Sequence, residues 1–398
     1  MNRLRCGRVT LTVALALGGG VAPAAAQQPN GFPGDPTMGE RLFSERGCVR
    51  CHSIWGNGGD LGPDLGQAGR GRSLLQLAGM FWNHTPQMIE TVRSHGFAWS
   101  TFTEAELGNI ISYVYYVMLF DAPGVPEVGA QWLREKRCRE CHTVGGDGGR
   151  LGPSLDGFAR YLAAIPLAAG MWNHGREMRA LQSALDISMP QFYGSEIADI
   201  QAYIRTASRL RDRQLVLLPP PDPGRGEALF RAKSCTVCHG PSGRGTARGP
   251  DLRSTIQRLR VSEIAGELWN HSANMTEAIR QAGVPFPQFE DTELADVIAY
   301  LYYLRFEETE GDTPVGENLF TAKGCIGCHS LDGSPSIGPN LAESPAAASP
   351  LGLATAMWNH APGMYKRIRQ SRTPWPLFQG DEMRDLAAYL RYLTTTGR

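Results

Sequence analysis

One short pattern occurs four times in the chain: Cys48-Val49-Arg50-Cys51-His52, Cys138-Arg139-Glu140-Cys141-His142, Cys235-Thr236-Val237-Cys238-His239 and Cys325-Ile326-Gly327-Cys328-His329. Two Cys separated by two residues and followed directly by His form the attachment signature of c-type haem. The thiols bind the haem as thioethers, and the His is the proximal ligand of the iron. The pattern therefore predicts four covalently bound haem c groups, with His52, His142, His239 and His329 as proximal ligands.

The spacing of the pattern defines an internal repeat. Its first Cys recurs at residues 48, 138, 235 and 325, whereas a zinc ribbon brings two Cys-x-x-Cys pairs within about 20 residues of each other. A thioredoxin-like redox pair would use one such motif, not four. We therefore expect four tandem domains, called units 1 to 4 below: residues 27–122, 123–213, 214–309 and 310–398.

Residues 1–26 have the features of a cleaved export signal. Arg3, Arg5 and Arg8 precede an apolar run over residues 9–21, and small Ala residues stand directly before Gln27. The apolar run is too short to span a membrane, and no later segment is long enough. The sequence predicts a signal peptide over 1–26, a periplasmic mature protein and no membrane span in the mature chain.

Composition excludes one class of partner. The chain is 42% hydrophobic and carries 39 Lys and Arg against 39 Asp and Glu, so its formal net charge is zero. Nucleic-acid-binding proteins present an excess of basic residues, which this chain lacks. We expect no nucleic-acid partner.

Each unit repeats further features around its Cys-x-x-Cys-His pattern. A Gly lies nine residues before the first Cys, and a Gly-Pro loop follows the His by 10 or 11 residues. Apolar periodicity at the end of each unit predicts an amphipathic helix with a central Tyr. These closing helices are expected over residues 110–118, 197–204, 294–304 and 383–393. The predicted fold class is all-α.

Together these motifs resemble the class I cytochrome c domain, and the resemblance extends four times over nearly the whole mature chain. It implies small helical domains, each wrapped round one covalent haem, with the first and last helices crossed. It also implies that the loop Pro carbonyl accepts the ring N–H of the proximal His. The Pro residues at this position are Pro63, Pro153, Pro250 and Pro339.

The resemblance fails at the distal ligand. Class I domains usually supply a Met from a Met-Pro-x-Phe segment before the last helix, and only unit 2 keeps it, at Met189. The other units have Trp99, Phe286 and Trp375 at this position, and neither Trp nor Phe ligates iron. Either another residue ligates, or three haems are five-coordinate.

Each unit contains a substitute motif, Trp-Asn-His-x-x-x-Met. Its His residues are His84, His174, His271 and His360, and its Met residues are Met88, Met178, Met275 and Met364. Spacing does not decide between them; imidazole is a firm ligand in both redox states, so we favour the His as distal ligand and keep the Met as the alternative. Pro86 and Pro362 suggest that a helix begins just after the His.

A proline run at 219–221 separates units 2 and 3, which suggests that unit 1 pairs with unit 2 and unit 3 with unit 4. Four haems with a candidate sixth ligand each suit one-electron transfer. The sequence predicts an electron carrier between redox partner proteins, free or as the cytochrome subunit of a larger oxidoreductase, rather than an enzyme. The alternative is a multihaem redox enzyme, peroxidase-like or sulfur-compound oxidising, with one open haem.

Overall fold

The computed structural model describes residues 34–66, 72–118, 121–210, 215–216, 218–256, 259–290, 292–304 and 310–396. These residues are mostly helical, as predicted. The predicted signal peptide lies outside them. Among the described helices, none combines the length and the apolar character needed to cross a bilayer.

The same order of elements recurs along the chain. Unit 1 contains α1 (Pro36–Glu45), β1 (Ser53–Ile54), β2 (Asn57–Gly58), α2 (Leu74–Ser94) and α3 (Glu104–Met118). Unit 2 contains α4 (Pro126–Glu135), β3 (Thr143–Val144), β4 (Asp147–Gly148), α5 (Ile165–Ala184) and α6 (Glu196–Ala207). Unit 3 contains α7 (Pro223–Ala232), α8 (Thr236–His239), α9 (Leu252–Ile256), α10 (Val261–Asn270), α11 (Ser272–Ala282) and α12 (Glu293–Tyr303). Unit 4 contains α13 (Thr313–Ala322), α14 (Pro350–Ser371) and α15 (Glu382–Thr396). The strands form two antiparallel hairpins, β1–β2 and β3–β4.

In every unit the opening helix packs against the closing helix, as α1 on α3, α4 on α6, α7 on α12 and α13 on α15. The repeated Gly lies at each crossing: Gly39, Gly129, Gly226 and Gly316. A Cβ on any of the first three would lie 1.9 Å from a carbonyl oxygen of the closing helix, and on the fourth 2.1 Å. Only Gly permits this approach, which explains why the residue recurs.

A polar contact fixes the same crossing from the other side. The N-cap residue directly before each opening helix donates its backbone N–H to a side-chain oxygen of the closing helix. The acceptors are Asn109 (2.7 Å), Asp199 (2.8 Å), Asp296 (2.8 Å) and Asp385 (2.9 Å). Each of these residues also supplies the carbonyl oxygen that faces the crossing Gly. One residue of the closing helix therefore sets both the position and the start of the opening helix.

The expectation that a helix starts after the motif His is wrong in three units. Helices α2 and α14 run through Pro86 and Pro362, and α5 is continuous through His174. In unit 3 a break does occur, because α10 ends at Asn270 and α11 begins at Ser272. A Pro inside a helix leaves one carbonyl without its N–H donor. As described below, that carbonyl finds another donor here.

The expected pairing of neighbouring units is also wrong. Unit 1 packs against unit 4, through α2 with α14 and α15, and unit 2 packs against unit 3, through α5 and α6 with α10. One continuous hydrophobic core extends through units 2 and 3, from Leu133 to Leu304. By their order along the chain, units 1 and 4 form an outer pair and units 2 and 3 an inner pair. A proline spacer fixes the distance between sequence neighbours but does not choose which faces meet.

Candidate haem-binding sites

The Cys-x-x-Cys-His segment folds as a tight turn in all four units. The backbone N–H of each proximal His donates to the carbonyl of the first Cys, at 2.9 Å in units 1 to 3 and 3.0 Å in unit 4. The residue directly before this Cys has a positive φ in every unit: Gly47 (82°), Arg137 (60°), Ser234 (63°) and Gly324 (76°). This left-handed residue turns the chain out of the opening helix. The turn brings two thiols and one imidazole together.

The loop Pro orients each proximal imidazole, as the class I resemblance implies. The His Nδ1–H donates to the carbonyl of Pro63 (2.9 Å), Pro153 (2.8 Å), Pro250 (3.1 Å) and Pro339 (3.1 Å). A bond at Nδ1 fixes the tautomer and leaves the Nε2 lone pair for a metal. In unit 3, burial lowers the pKa of His239, which favours the neutral, ligating form.

The Gly before this Pro packs against the imidazole. In units 1, 2 and 4 an added Cβ would lie 2.5, 2.4 and 2.6 Å from Cε1 of the proximal His. The backbone therefore forms one wall of the imidazole pocket, and a side chain there would displace the ring. In unit 3 the corresponding Gly249 packs instead against Cys238, with its carbonyl oxygen 2.8 Å from an added Cβ.

The eight described Cys are unpaired and half-buried. Burial raises the pKa of the first thiol of each motif to about 11, at Cys48, Cys138, Cys235 and Cys325. The last three pack against hydrophobic core residues. Haem c requires two free thiols next to an apolar wall, together with an imidazole whose Nε2 can bind iron. The residues present therefore fit the group.

The cytochrome c family model matches residues 224–305 and 315–394. These two segments are cytochrome c domains. Searches of curated proteins and of solved structures found no match to the chain. Cytochrome c domains bind haem covalently and transfer electrons through it, and the matched segments contain the Cys-x-x-Cys-His patterns of units 3 and 4. The match therefore implies haem-based electron transfer for residues 224–305 and 315–394.

The two candidate distal ligands of each unit, the motif His and the motif Met, differ in their surroundings. His84, His271 and His360 are exposed, and His174 is half-exposed. In the three exposed residues Nδ1–H donates to the carbonyl four residues earlier, at 2.8, 2.9 and 2.8 Å. The motif Met residues are half-buried, and Met178, Met275 and Met364 pack against the hydrophobic cores. The Met is therefore more buried than the His in units 1, 3 and 4, whereas in unit 2 both side chains are half-buried.

The Trp and Asn of the motif reach across to the paired unit. The Trp82 Nε1–H donates to the Pro376 carbonyl (2.7 Å), and Asn83 bonds both the carbonyl (2.7 Å) and the N–H (2.8 Å) of Phe378. Unit 4 returns the contact through Trp358 and Asn359. These bind the Ser100 carbonyl (2.8 Å) and both backbone groups of Phe102 (2.7 and 2.9 Å).

Units 2 and 3 make the same reciprocal contact. Trp172 donates to the Pro287 carbonyl (2.7 Å), and Asn173 bonds both backbone groups of Phe289 (2.7 and 2.9 Å). Trp269 donates to the Pro190 carbonyl (2.7 Å), and Asn270 bonds both backbone groups of Phe192 (2.8 and 2.9 Å). We call each such set of three hydrogen bonds a Trp-Asn clamp. Four clamps join the units in two pairs.

Each clamp binds the segment of the paired unit that corresponds in position to the distal Met segment of class I domains. The Trp82 ring stacks on Trp375 with centroids 4.2 Å apart, Trp358 stacks on Trp99 at 4.5 Å, and Trp172 stacks on Phe286 at 4.9 Å. Met189 packs against the core shared by units 2 and 3, which contains Trp269. At three of the four positions an aromatic residue stacks on the Trp of the paired unit, and only unit 2 has Met there.

The sequence contained a signal for this arrangement. Every unit has a Phe three residues after the class I Met position, and its backbone is what the partner's Asn binds. Considered within one unit, the Trp-Asn-His motif predicts a role at the haem of that same unit. The correspondence between one unit's Trp-Asn and another unit's Phe segment appears only when units are compared in pairs.

Proposed function

We propose that the protein is a periplasmic tetrahaem c-type cytochrome that passes single electrons between redox partner proteins. One observation carries the proposal: four equivalent sites in which Nδ1 of the His is bonded to a Pro carbonyl, beside two unpaired thiols. Four sites of one design suit four copies of one cofactor. The domain limits proposed are those of units 1 to 4.

Haem iron supplies a one-electron centre whose potential depends on its axial ligands, the polarity of its surroundings and its exposure. The chain's own residues do the rest. The Pro carbonyls hold the proximal rings in one tautomer, the thiols anchor the macrocycle, and the apolar cores exclude water from it. No proton donor or acceptor is required for one-electron exchange.

For the sixth ligand we propose Met88, Met178, Met275 and Met364 in place of the motif His. Three of the half-buried thioethers, at Met178, Met275 and Met364, pack against the apolar cores. Three of the imidazoles, at His84, His271 and His360, face solvent and already bond their own helices. Methionine ligation raises the reduction potential relative to a second imidazole. Met189 is proposed as an interface residue, since its neighbour Pro190 is bound by Trp269.

The pairing of units supports a route for electrons. Cys138 and Cys235, the first anchors of haems 2 and 3, pack against the same continuous core. The two haems of a pair would therefore share an apolar environment joined by aromatic contacts. We propose exchange between haems 2 and 3, and between haems 1 and 4.

Haem counting tests the function. A pyridine haemochrome assay on the purified mature protein should give four haems per chain, all covalently retained in denaturing gels. Carbon monoxide should leave the spectrum of the reduced protein unchanged, because every iron has two protein ligands. A count below four contradicts the tetrahaem proposal, and a carbon monoxide shift would favour the enzyme alternative with an open haem.

A further inference from the structure

The two unit pairs differ in one hydrogen bond per clamp. In the pair of units 1 and 4, the Trp375 indole N–H donates to the Trp82 carbonyl (3.1 Å), and the Trp99 indole N–H donates to the Trp358 carbonyl (3.2 Å). In the pair of units 2 and 3 the corresponding positions hold Phe286 and Met189, which have no side-chain N–H to donate.

The acceptor carbonyls are available because of two prolines. Within a helix, the carbonyl of residue i accepts from the N–H of residue i+4. Four residues after Trp82 and Trp358 stand Pro86 and Pro362, which have no N–H. Units 2 and 3 have Arg176 and Ala273 there, each with its backbone N–H. Proline in the motif helix and Trp on the facing segment therefore occur together in one pair and are both missing from the other.

A wrong pairing would leave polar groups without partners. If unit 1 met the segment of unit 2 or 3, the carbonyl of buried Trp82 would face Met189 or Phe286 and lack a donor. If the Trp375 segment met unit 2, its indole N–H would face a carbonyl that the Arg176 N–H already occupies in the continuous helix α5. A buried polar group without a partner destabilises its contact by about tenfold or more in the equilibrium constant.

We infer that Pro86 and Pro362, matched with Trp375 and Trp99, are specificity-determining residues that select unit 4 as the partner of unit 1. The Trp-Asn clamp stabilises the contact in both pairs. The hydrogen bond from the facing indole to the carbonyl left free by the Pro occurs only between units 1 and 4, and it distinguishes the pairs. The selection of partners stands independently of the haem assignment. Its consequence for which haems exchange electrons rests on the proposed function.

A double-mutant cycle on the intact holoprotein tests the inference. Trp375→Phe leaves the Trp82 carbonyl without a donor, so hydrogen exchange at the Phe378 amide, which is bonded to Asn83, should accelerate about tenfold. In Pro86→Ala/Trp375→Phe the backbone N–H restored at position 86 can donate to this carbonyl. The double variant then has a backbone N–H at position 86 and a Phe at position 375, as units 2 and 3 have at Arg176 and Phe286. Exchange should therefore return to within about threefold of its rate in Pro86→Ala alone.

The reciprocal contact provides an independent second cycle. Trp99→Phe and Trp99→Phe/Pro362→Ala are measured at the Phe102 amide, which is bonded to Asn359. Equal effects of the Trp→Phe change in the Pro and Ala backgrounds, in both cycles, would overturn the inference. A haem count accompanies every variant: four haems without coupling refutes the pairing role alone, whereas fewer than four in the unsubstituted protein refutes the proposed function.

Discussion

Asn83 acts as a substitute for a neighbouring strand. Its amide group donates to the carbonyl of Phe378 and accepts from the N–H of Phe378, so it satisfies both backbone groups of this buried residue. Three further Asn residues repeat the contact in the other clamps. A side chain with both a donor and an acceptor is required, which explains Asn rather than Asp at this position.

Truncation of this side chain should weaken the contact between units 1 and 4. Asn83→Ala leaves the N–H and the carbonyl of Phe378 without partners, at a cost of about 3 kcal/mol. The measurement is urea denaturation followed by circular dichroism. The control is Gln87→Ala, an exposed position in the same helix, which should change stability by less than about 0.5 kcal/mol. Equal effects of the two variants would contradict the clamp.

The distal ligand is decided by residues four apart on one motif. Met275→Leu should convert the third haem to a high-spin or misligated form, because the half-buried thioether is lost. His271→Ala should keep that haem low-spin, because the imidazole is exposed and bonds Glu267. Magnetic circular dichroism of the oxidised protein separates the two results. The opposite pattern would return the ligand role to the histidine.

At the scale of elements, the sequence predicted the positions of the closing helices but not the contacts between units. The closing helices were expected at 110–118, 197–204, 294–304 and 383–393, and the structure has α3, α6, α12 and α15 there. Periodicity reveals such helices because one face is buried. The helix start expected after the motif His was wrong in units 1, 2 and 4; it rested on the preference of Pro for the first turn, whereas Pro86 and Pro362 lie inside their helices. Here the Trp375 and Trp99 indoles replace the missing N–H, and no local pattern reveals donors that lie 293 and 259 residues away.

The helix crossing in each unit should depend on its Gly. Gly316→Ala places a Cβ 2.1 Å from the Asp385 carbonyl oxygen, so α13 and α15 must separate, at a cost of about 2 to 3 kcal/mol. Gly363→Ala in α14 of the same unit meets no atom within 4 Å and should stabilise the helix by about 0.5 to 1 kcal/mol. Thermal unfolding of both variants is the measurement. A neutral Gly316→Ala would mean that the crossing is looser than described.

At the scale of the whole molecule, the order of units along the chain does not give their order in space. Units 1 and 2, like units 3 and 4, follow each other in the chain without forming a pair. Units 1 and 4 instead share two clamps and both stacked Trp pairs. The inner and outer pairs are joined by a smaller contact, in which the Asp121 carboxylate accepts from the N–H (3.0 Å) and hydroxyl (2.7 Å) of Ser262. Pairing depends on complementary surfaces, which motif spacing within one unit does not encode.

This nested pairing makes a prediction that adjacent pairing does not. A protease site inserted between Pro219 and Pro220, both exposed, divides the chain into units 1 and 2 and units 3 and 4. Under native conditions the two fragments should stay together in size-exclusion chromatography, because contacts 1–4 and 2–3 both join one fragment to the other. Two contacts acting in parallel give an effective concentration in the millimolar range for the second.

Clamp variants of the cleaved protein complete the test. The contact between units 1 and 4 is weakened by Asn83→Ala/Asn359→Ala, and the contact between units 2 and 3 by Asn173→Ala/Asn270→Ala. Either double variant alone should leave the fragments associated, because the other contact persists. All four changes together should release them as two separate two-unit fragments. If the unsubstituted protein instead separates on cleavage without denaturant, units 1 and 2 and units 3 and 4 are the true pairs, and the inner and outer pairing described here is wrong.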